Sequence, residues 1–160
     1  MIVREYNNKD SKGMENLLKE FLEYTRKAYS RKVLEFDDFI DSKKNSYAKD
    51  ILKHFKKLKK SKIFVAEEGN QVIGYIVGNI TKNNSIVMKK EGHIFSYFVS
   101  RKYRGKGVGK ELYNKLVKWF KKQKCDHLSL DVYEGNEKSY AMYRKWGFKE
   151  VHTRMKKKLQ

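Results

Sequence analysis

The sequence predicts an α/β chain, a single domain over 1–160, with a mixed, mostly antiparallel central sheet flanked by helices on both faces. Three observations carry this. Short apolar runs of strand length alternate with segments whose apolar residues recur every three or four positions. Their order is strand, two helices, three antiparallel strands, helix, strand, helix, strand, a mixture that buries both faces of a sheet. A chain of 160 residues suits one domain with a real core. No repeat and no linker divides it.

Residues 2–6 alternate weakly and predict a first strand. Asp10-Ser11 is a helix start, and Met14, Leu17, Leu18, Phe21 and Leu22 line one helical face. Residues 29–45 lose that periodicity. This segment gathers Tyr29, Glu35, Phe36, Asp37, Asp38, Phe39 and Asp41, an acidic and aromatic patch in a basic protein. Ala48, Ile51, Leu52, Phe55 and Leu58 line a second helix, closed by a basic run that suits a helix C-terminus. Ile63-Phe64-Val65-Ala66 is a strand, and Glu68-Gly69-Asn70-Gln71 is a hairpin turn. Val72 to Ile80 returns, with Gly74 and Gly78 marking a bend or close approach. Glu91 to Val99 is the next strand. A helix covers about 107–123, then Leu128 to Val132 forms a strand. Gly135-Asn136 starts the last helix, and Gly147 ends it at the left-handed cap position. Residues 148–158 predict a final, exposed, lysine-rich strand.

Composition narrows the function. The single cysteine, Cys125, excludes an internal disulfide and suits a reducing compartment, so a cytoplasmic location is expected. No second cysteine or spaced ligand set accompanies Cys125-Asp126-His127, so no metal is expected and Cys125 reads as a helix-end or core thiol. No secretory leader is expected, because Met1-Ile2-Val3-Arg4-Glu5 carries no h-region. No stretch reaches the roughly 18 apolar residues of a membrane span. The net charge of +19 admits nucleic acid, an anionic surface or an acidic ligand as partner. The lysines are spread along the whole chain, however, which disfavours nucleic acid as its main partner.

The most informative stretch is Val99-Ser100-Arg101-Lys102-Tyr103-Arg104-Gly105-Lys106-Gly107-Val108-Gly109-Lys110. A buried strand runs into it and an amphipathic helix leaves it, with Val108, Leu112, Leu116, Val117 and Phe120 on the apolar face. Glycines 105, 107 and 109 permit a tight turn and leave no Cβ against a ligand. The first helical amides lack partners. Arg104, Lys106 and Lys110 add positive charge. This is a phosphate site. A P-loop does not fit, because three residues separate Gly105 from Gly109 and Lys110 is followed by Glu111. The dinucleotide fingerprint does not fit either, because Leu112 stands near its third glycine and the loop lies two-thirds along the chain.

The pattern Arg-x-x-Gly-x-Gly, as Arg104 to Gly109, resembles the acetyl-CoA loop of the GCN5-related N-acetyltransferases. A second set, Asn136, Ala141, Tyr143, Gly147 and Phe148, is similar to that family's second motif. The resemblance is clear from about residue 63 to 150 and weak before residue 60. It implies the acyl-CoA N-acyltransferase fold and direct acetyl transfer from acetyl-CoA, as co-substrate, to a primary amine of a small molecule or peptide. It implies that the amides of 105–110 hold the pyrophosphate, with Val108 and Asn136 also in the cofactor site. The pantetheine arm would lie along the strand ending at Val99, pairing with main chain of Phe98 and Ser100. That requires the strands at 94–99 and 128–132 to splay, commonly through a β-bulge. Tyr143 resembles the family's general acid. Glu91, and after it His93, match positions of a general base, and the two share a strand face. A main-chain N–H near Phe98 or Val99 would stabilise the oxyanion. The acidic patch would attract a cationic acceptor. A homodimer through the C-terminal strand is expected by analogy alone. A basic nucleic-acid-binding module and a non-catalytic acetyl-CoA-binding domain are the alternatives.

Overall fold

The computed structural model describes residues 1–38 and 43–159. The elements are β1 (Ile2–Glu5), α1 (Ser11–Ala28), α2 (Arg31–Asp37), α3 (Lys44–Lys57), β2 (Ser61–Glu68), β3 (Gln71–Lys82), β4 (Lys90–Val99), α4 (Val108–Lys122), β5 (His127–Leu130) and α5 (Glu137–Lys145). The five strands lie in sequence order. The first three pairings are antiparallel and β4–β5 is parallel.

Two apolar layers sandwich the sheet. Met14, Leu18 and Leu22 of α1 and Leu52 and Phe55 of α3 pack on Val65, Tyr75, Val77 and Phe98. Leu112, Leu116 and Phe120 of α4 pack on Phe64, Ile73, Ile76 and Ile94. Two glycines let α4 sit close. A Cβ on Gly78 would lie 2.6 Å from Phe120 Cζ, and one on Gly92 2.6 Å from Phe120 Cδ1. The β2–β3 hairpin turns through Gly69 and Asn70, both with positive φ (55° and 62°), as a two-residue turn of this hand requires.

Two sequence expectations fail. The segment from 148 to 158 forms no strand; Phe148 is partly buried, the residues after it lie exposed, and Lys156 and Lys158 reach Asp37 and Glu35 instead. After Phe148 its pattern carries only Val151 and Met155 as strong apolar residues among charges, too little apolar area to hold it on the sheet. Conversely, α2 forms where periodicity is lost. Ser30 caps it, its hydroxyl accepting from the Val33 N–H, and none of its residues is buried. A short helix held by its cap and its neighbours needs no apolar stripe. Phe39 and Asp41 of the acidic patch lie outside the described residues. Among the described residues no helix is long and apolar enough to cross a membrane.

The N-terminal strand is tied to α1 by charge. Arg4 donates to Asp10 through two nitrogens (2.8 and 2.7 Å) and to Glu67 Oε2 at 2.8 Å. The Arg4 hydrogen bonds hold the Asp10 carboxyl below its ordinary range, against the opposing effect of burial. A depressed folded-state pKa adds stability above the unfolded carboxylate value, and that stability is lost as pH falls through the folded value. Asp10→Asn should therefore cost about 2 kcal/mol at neutral pH. Its urea-unfolding free energy should also fall less than the wild type's between neutral and strongly acid pH.

Candidate active site

The site is a cleft of about 600 Å³ where β4 and β5 part. The two strands pair only from Glu91↔His127 to Ile94↔Leu130. Beyond that point a bulge intervenes. Val77 faces Ser96 and Gly78 faces Ile94, so Phe95 has no partner on β3. The extra residue turns the strand, and the space between residues 95–99 and 131–133 opens. The splay and the bulge match the sequence expectation.

The main chain of β4 presents polar groups to this cleft. Ser100 N–H donates to Ile73 O at 3.0 Å, so it is spent on β3. Antiparallel alternation then engages Phe98 with β3 and turns the N–H and C=O of Val99 into the cleft. The Val99 carbonyl accepts from Arg104 Nε at 2.8 Å. Of the main-chain groups expected to meet a ligand, Ser100 N–H is thus occupied by β3, and it is Val99 that faces the cleft. The Arg104 guanidinium stacks over Tyr24 (4.4 Å) and Phe98 (4.9 Å). It fills the cleft rather than joining the cations at the glycine loop.

The loop itself is as expected. Gly105 and Gly107 have φ of +77° and +81° with open space where a Cβ would be. Gly107 is the N-cap of α4, and no side chain caps the helix. Its first amides are therefore free to meet an anion. Gly109 has a separate role: a Cβ there would lie 1.8 Å from Tyr97 Oη, so glycine makes room for Tyr97. Lys106 Nζ lies 5.5 Å from the centre of the Tyr103 ring. Gly105, Gly107, Gly109 and Lys110 all line the cleft.

The opposite wall is α5. Tyr143 lines the cleft, its ring against Trp146 (5.7 Å) and Phe148 (5.8 Å). Burial, reinforced by neighbouring phenols, pushes its hydroxyl well above the ordinary tyrosine value, so it stays protonated. Asn136 is the N-cap of α5, and its Oδ1 accepts from Tyr24 at 3.0 Å. The loop before it is pressed on the end of α1. Ser30 N–H donates to Glu134 O at 2.9 Å, and a Cβ on Gly135 (φ +94°) would meet Ser30 N at 2.5 Å. Beside it Tyr29 and Tyr133 stack at 4.9 Å.

Of the two carboxylate and imidazole candidates, His93 lines the cleft and Glu91 does not. Glu91 Oε1 accepts from Ser129, and Oε2 accepts from Thr81 at 3.2 Å. Burial raises its pKa, but these hydrogen bonds outweigh burial and leave it below the ordinary value. Sequence reading missed Tyr24, Tyr97, Ser129 and Trp146. Tyr24 continues the spacing of Leu17 and Phe21 along α1, which was a readable signal. Ser129 carried none, because a serine on an alternating strand is ordinary. Among the described residues no group of three or more His, Cys, Asp or Glu side chains is placed to hold a metal. Cys125 is half-buried after α4, and burial pushes its thiol up.

A β-bulged strand, a split sheet and a glycine-opened helix thus meet a protonated phenol in one cleft. The chain belongs to the acetyltransferase (GNAT) family, whose profile matches residues 15–148. An uncharacterized N-acetyltransferase of Methanocaldococcus jannaschii is 29% identical over 133 residues, 83% of this chain and 57% of that protein. An N-alpha-acetyltransferase of Sulfurisphaera tokodaii is 34% identical over 94 residues, 55% of this chain and 56% of that protein. The chain thus spans little more than half the length of these two relatives. Among solved structures, an aminoglycoside N-acetyltransferase in complex with CoA shares the fold, with a TM-score of 0.69 at 17% identity over 99% of both chains.

Gly135 lies with its backbone against the end of α1, just before Asn136 of the cleft wall. Gly135→Ala combines a left-handed φ with a backbone clash and should cost at least about 2 kcal/mol. Chemical denaturation measures that cost, and Gly105→Ala, strained but unobstructed, should cost less.

Proposed function

We propose that this chain transfers the acetyl group of acetyl-CoA directly to a primary amine. The observation that carries the proposal is the cleft itself. It joins unpartnered helical amides, a free strand edge and a buried phenol in one space. The family membership supports it, as does a fold neighbour solved with CoA.

Each part has a physical role. The amides of Val108 to Lys110, at the positive end of α4, hold the diphosphate, aided by Lys106 and Lys110. The Val99 carbonyl receives an amide of the pantetheine arm once Arg104 releases it. The Val99 N–H points to where negative charge gathers on the acyl oxygen during attack. A lysine-type amine has a pKa of about 10.4 and arrives protonated. His93, in the cleft, takes that proton. Glu91, the first expectation from sequence, is outside the cleft and acts on His93 from behind. Tyr143 returns a proton to the departing thiolate.

The acceptor is cationic in this reading. A second cavity of about 340 Å³ adjoins the cleft, with Phe21, Tyr29 and Tyr133 common to both, and it presents Phe36, Asp37, Asp38 and Tyr47. Asp37 now holds Lys156 at 2.6 Å and Glu35 holds Lys158 at 2.7 Å. Exposed pairs of this kind are worth about 0–1 kcal/mol, so an incoming cation can exchange with them.

A panel of primary amines with acetyl-CoA tests the reaction, read as free thiol above the hydrolysis blank. At a hundredfold excess over its Kd, CoA should raise the melting temperature by about 5 °C or more. Tyr143→Phe should lower kcat by roughly 10²-fold with the KM for acetyl-CoA unchanged. No turnover on any amine, with CoA protection intact, would leave a binding domain. Replacing Asp37 and Asp38 together with asparagine should raise the KM of a polyamine acceptor several-fold. An unchanged KM would remove the acidic surface from acceptor recognition.

A further inference from the structure

Six polar side chains form two rows across β3, β4 and β5. The register sets Thr81 beside Glu91 and Glu91 beside His127, then Asn79 beside His93 and His93 beside Ser129. Cross-strand partners share a face. This is the face away from α4, because Gly92 and Ile94, between Glu91, His93 and Phe95 on β4, pack toward α4.

Ser129 is the centre of the group. Its hydroxyl donates to Glu91 Oε1, and its Oγ lies 2.8 Å from His93 Nδ1. Thr81 holds the other oxygen of the same carboxylate. Counting protons gives the direction of every bond. An ionised carboxylate only accepts. A serine hydroxyl has one proton, and it is spent on Glu91. Toward His93 the Oγ can only accept. Nδ1 must therefore carry the hydrogen of the neutral imidazole, which leaves Nε2 with the bare lone pair. His93 lies against the cleft, and Phe95 flanks its ring edge-on at 6.1 Å.

We propose that Ser129 is a positioning residue that couples Glu91 to His93 and fixes Nε2 as the nitrogen that accepts the proton of the acceptor ammonium. This rests on the transferase reading with His93 as base. The step balances simply. The ammonium N–H bond breaks, its electron pair stays on the amine as the nucleophile, and the proton binds Nε2. The imidazolium keeps Nδ1–H on Ser129, and Glu91 remains a carboxylate that offsets the new charge. Water then takes the proton from Nε2. The arrangement repeats the logic of a carboxylate-oriented histidine, with a hydroxyl inserted between the two groups.

The test is the side-chain ¹⁵N spectrum of His93 in the full, unliganded chain, at a pH where the ring is neutral. The resonance is assigned by its loss in His93→Gln. The wild type should show the Nδ1–H form. Ser129→Ala should lose that preference, and Ser129→Thr, which keeps a hydroxyl, should retain it. With the best amine of the panel, Ser129→Ala should lower kcat at least about 10-fold at unchanged acetyl-CoA KM, and Ser129→Thr should recover most of it. An Nε2–H form in the wild type would overturn the proposal even if no alanine variant folds. So would a Ser129→Ala spectrum and kcat that match the wild type's. Because the spectrum needs neither cofactor nor acceptor, it judges the relay separately from the transferase reading, which CoA protection and amine turnover judge.

Discussion

The pairing between β4 and β5 stops after four residues, and most of the site follows from that stop. A strand edge released inside a protein carries unsatisfied N–H and C=O groups, which are costly unless something meets them. Here Arg104 meets one of them, with its Nε on the Val99 carbonyl and its flat guanidinium over two adjacent aromatic rings. The same edge suits an amide-bearing ligand, because a second set of amide groups can replace the guanidinium bond for bond. The bulge at Phe95 turns β4 where the pairing stops, while α4 sits close on Gly78 and Gly92 over the paired part of the sheet.

Around that opening, the walls are fixed by contacts that leave little play. Backbone meets backbone where Gly135 lies on the end of α1. Tyr113 stacks on Trp146 at 4.1 Å, which ties α5 to α4. Tyr24 reaches Asn136 from α1. Three elements distant in sequence thus converge near one phenol, Tyr143, whose burial keeps it protonated. The polar rows of β3 to β5 reach the same cleft, which His93 and Tyr143 both line.

The glycine loop, the order of elements and the Asn136-to-Phe148 set were legible because each is local. A positive φ at Gly105 or a left-handed cap at Gly147 writes itself into the residue that adopts it. The core faces of α1, α3 and α4 were legible for the same reason, through their spacing. What escaped depends on register. Whether Glu91 or His93 faces the cleft turns on where the bulge falls and which residues of β5 lie alongside, and no periodicity records that. Ser129 became meaningful only once it stood beside both. The tail shows the reverse error: an exposed, lysine-rich strand was expected over 148–158, but its charges found Glu35 and Asp37, and beyond Phe148 its apolar residues found nothing to bury against. α2 was missed because its cap, Ser30, is one unremarkable serine in a segment without a stripe.

The most direct measurement is a crystal structure of the chain with CoA bound. The account predicts the diphosphate on the N–H groups of Val108 to Lys110, an amide of the arm on the Val99 carbonyl, and the Arg104 guanidinium moved off it. CoA bound elsewhere, or bound with Arg104 still on Val99 and the arm outside the split strands, would contradict it.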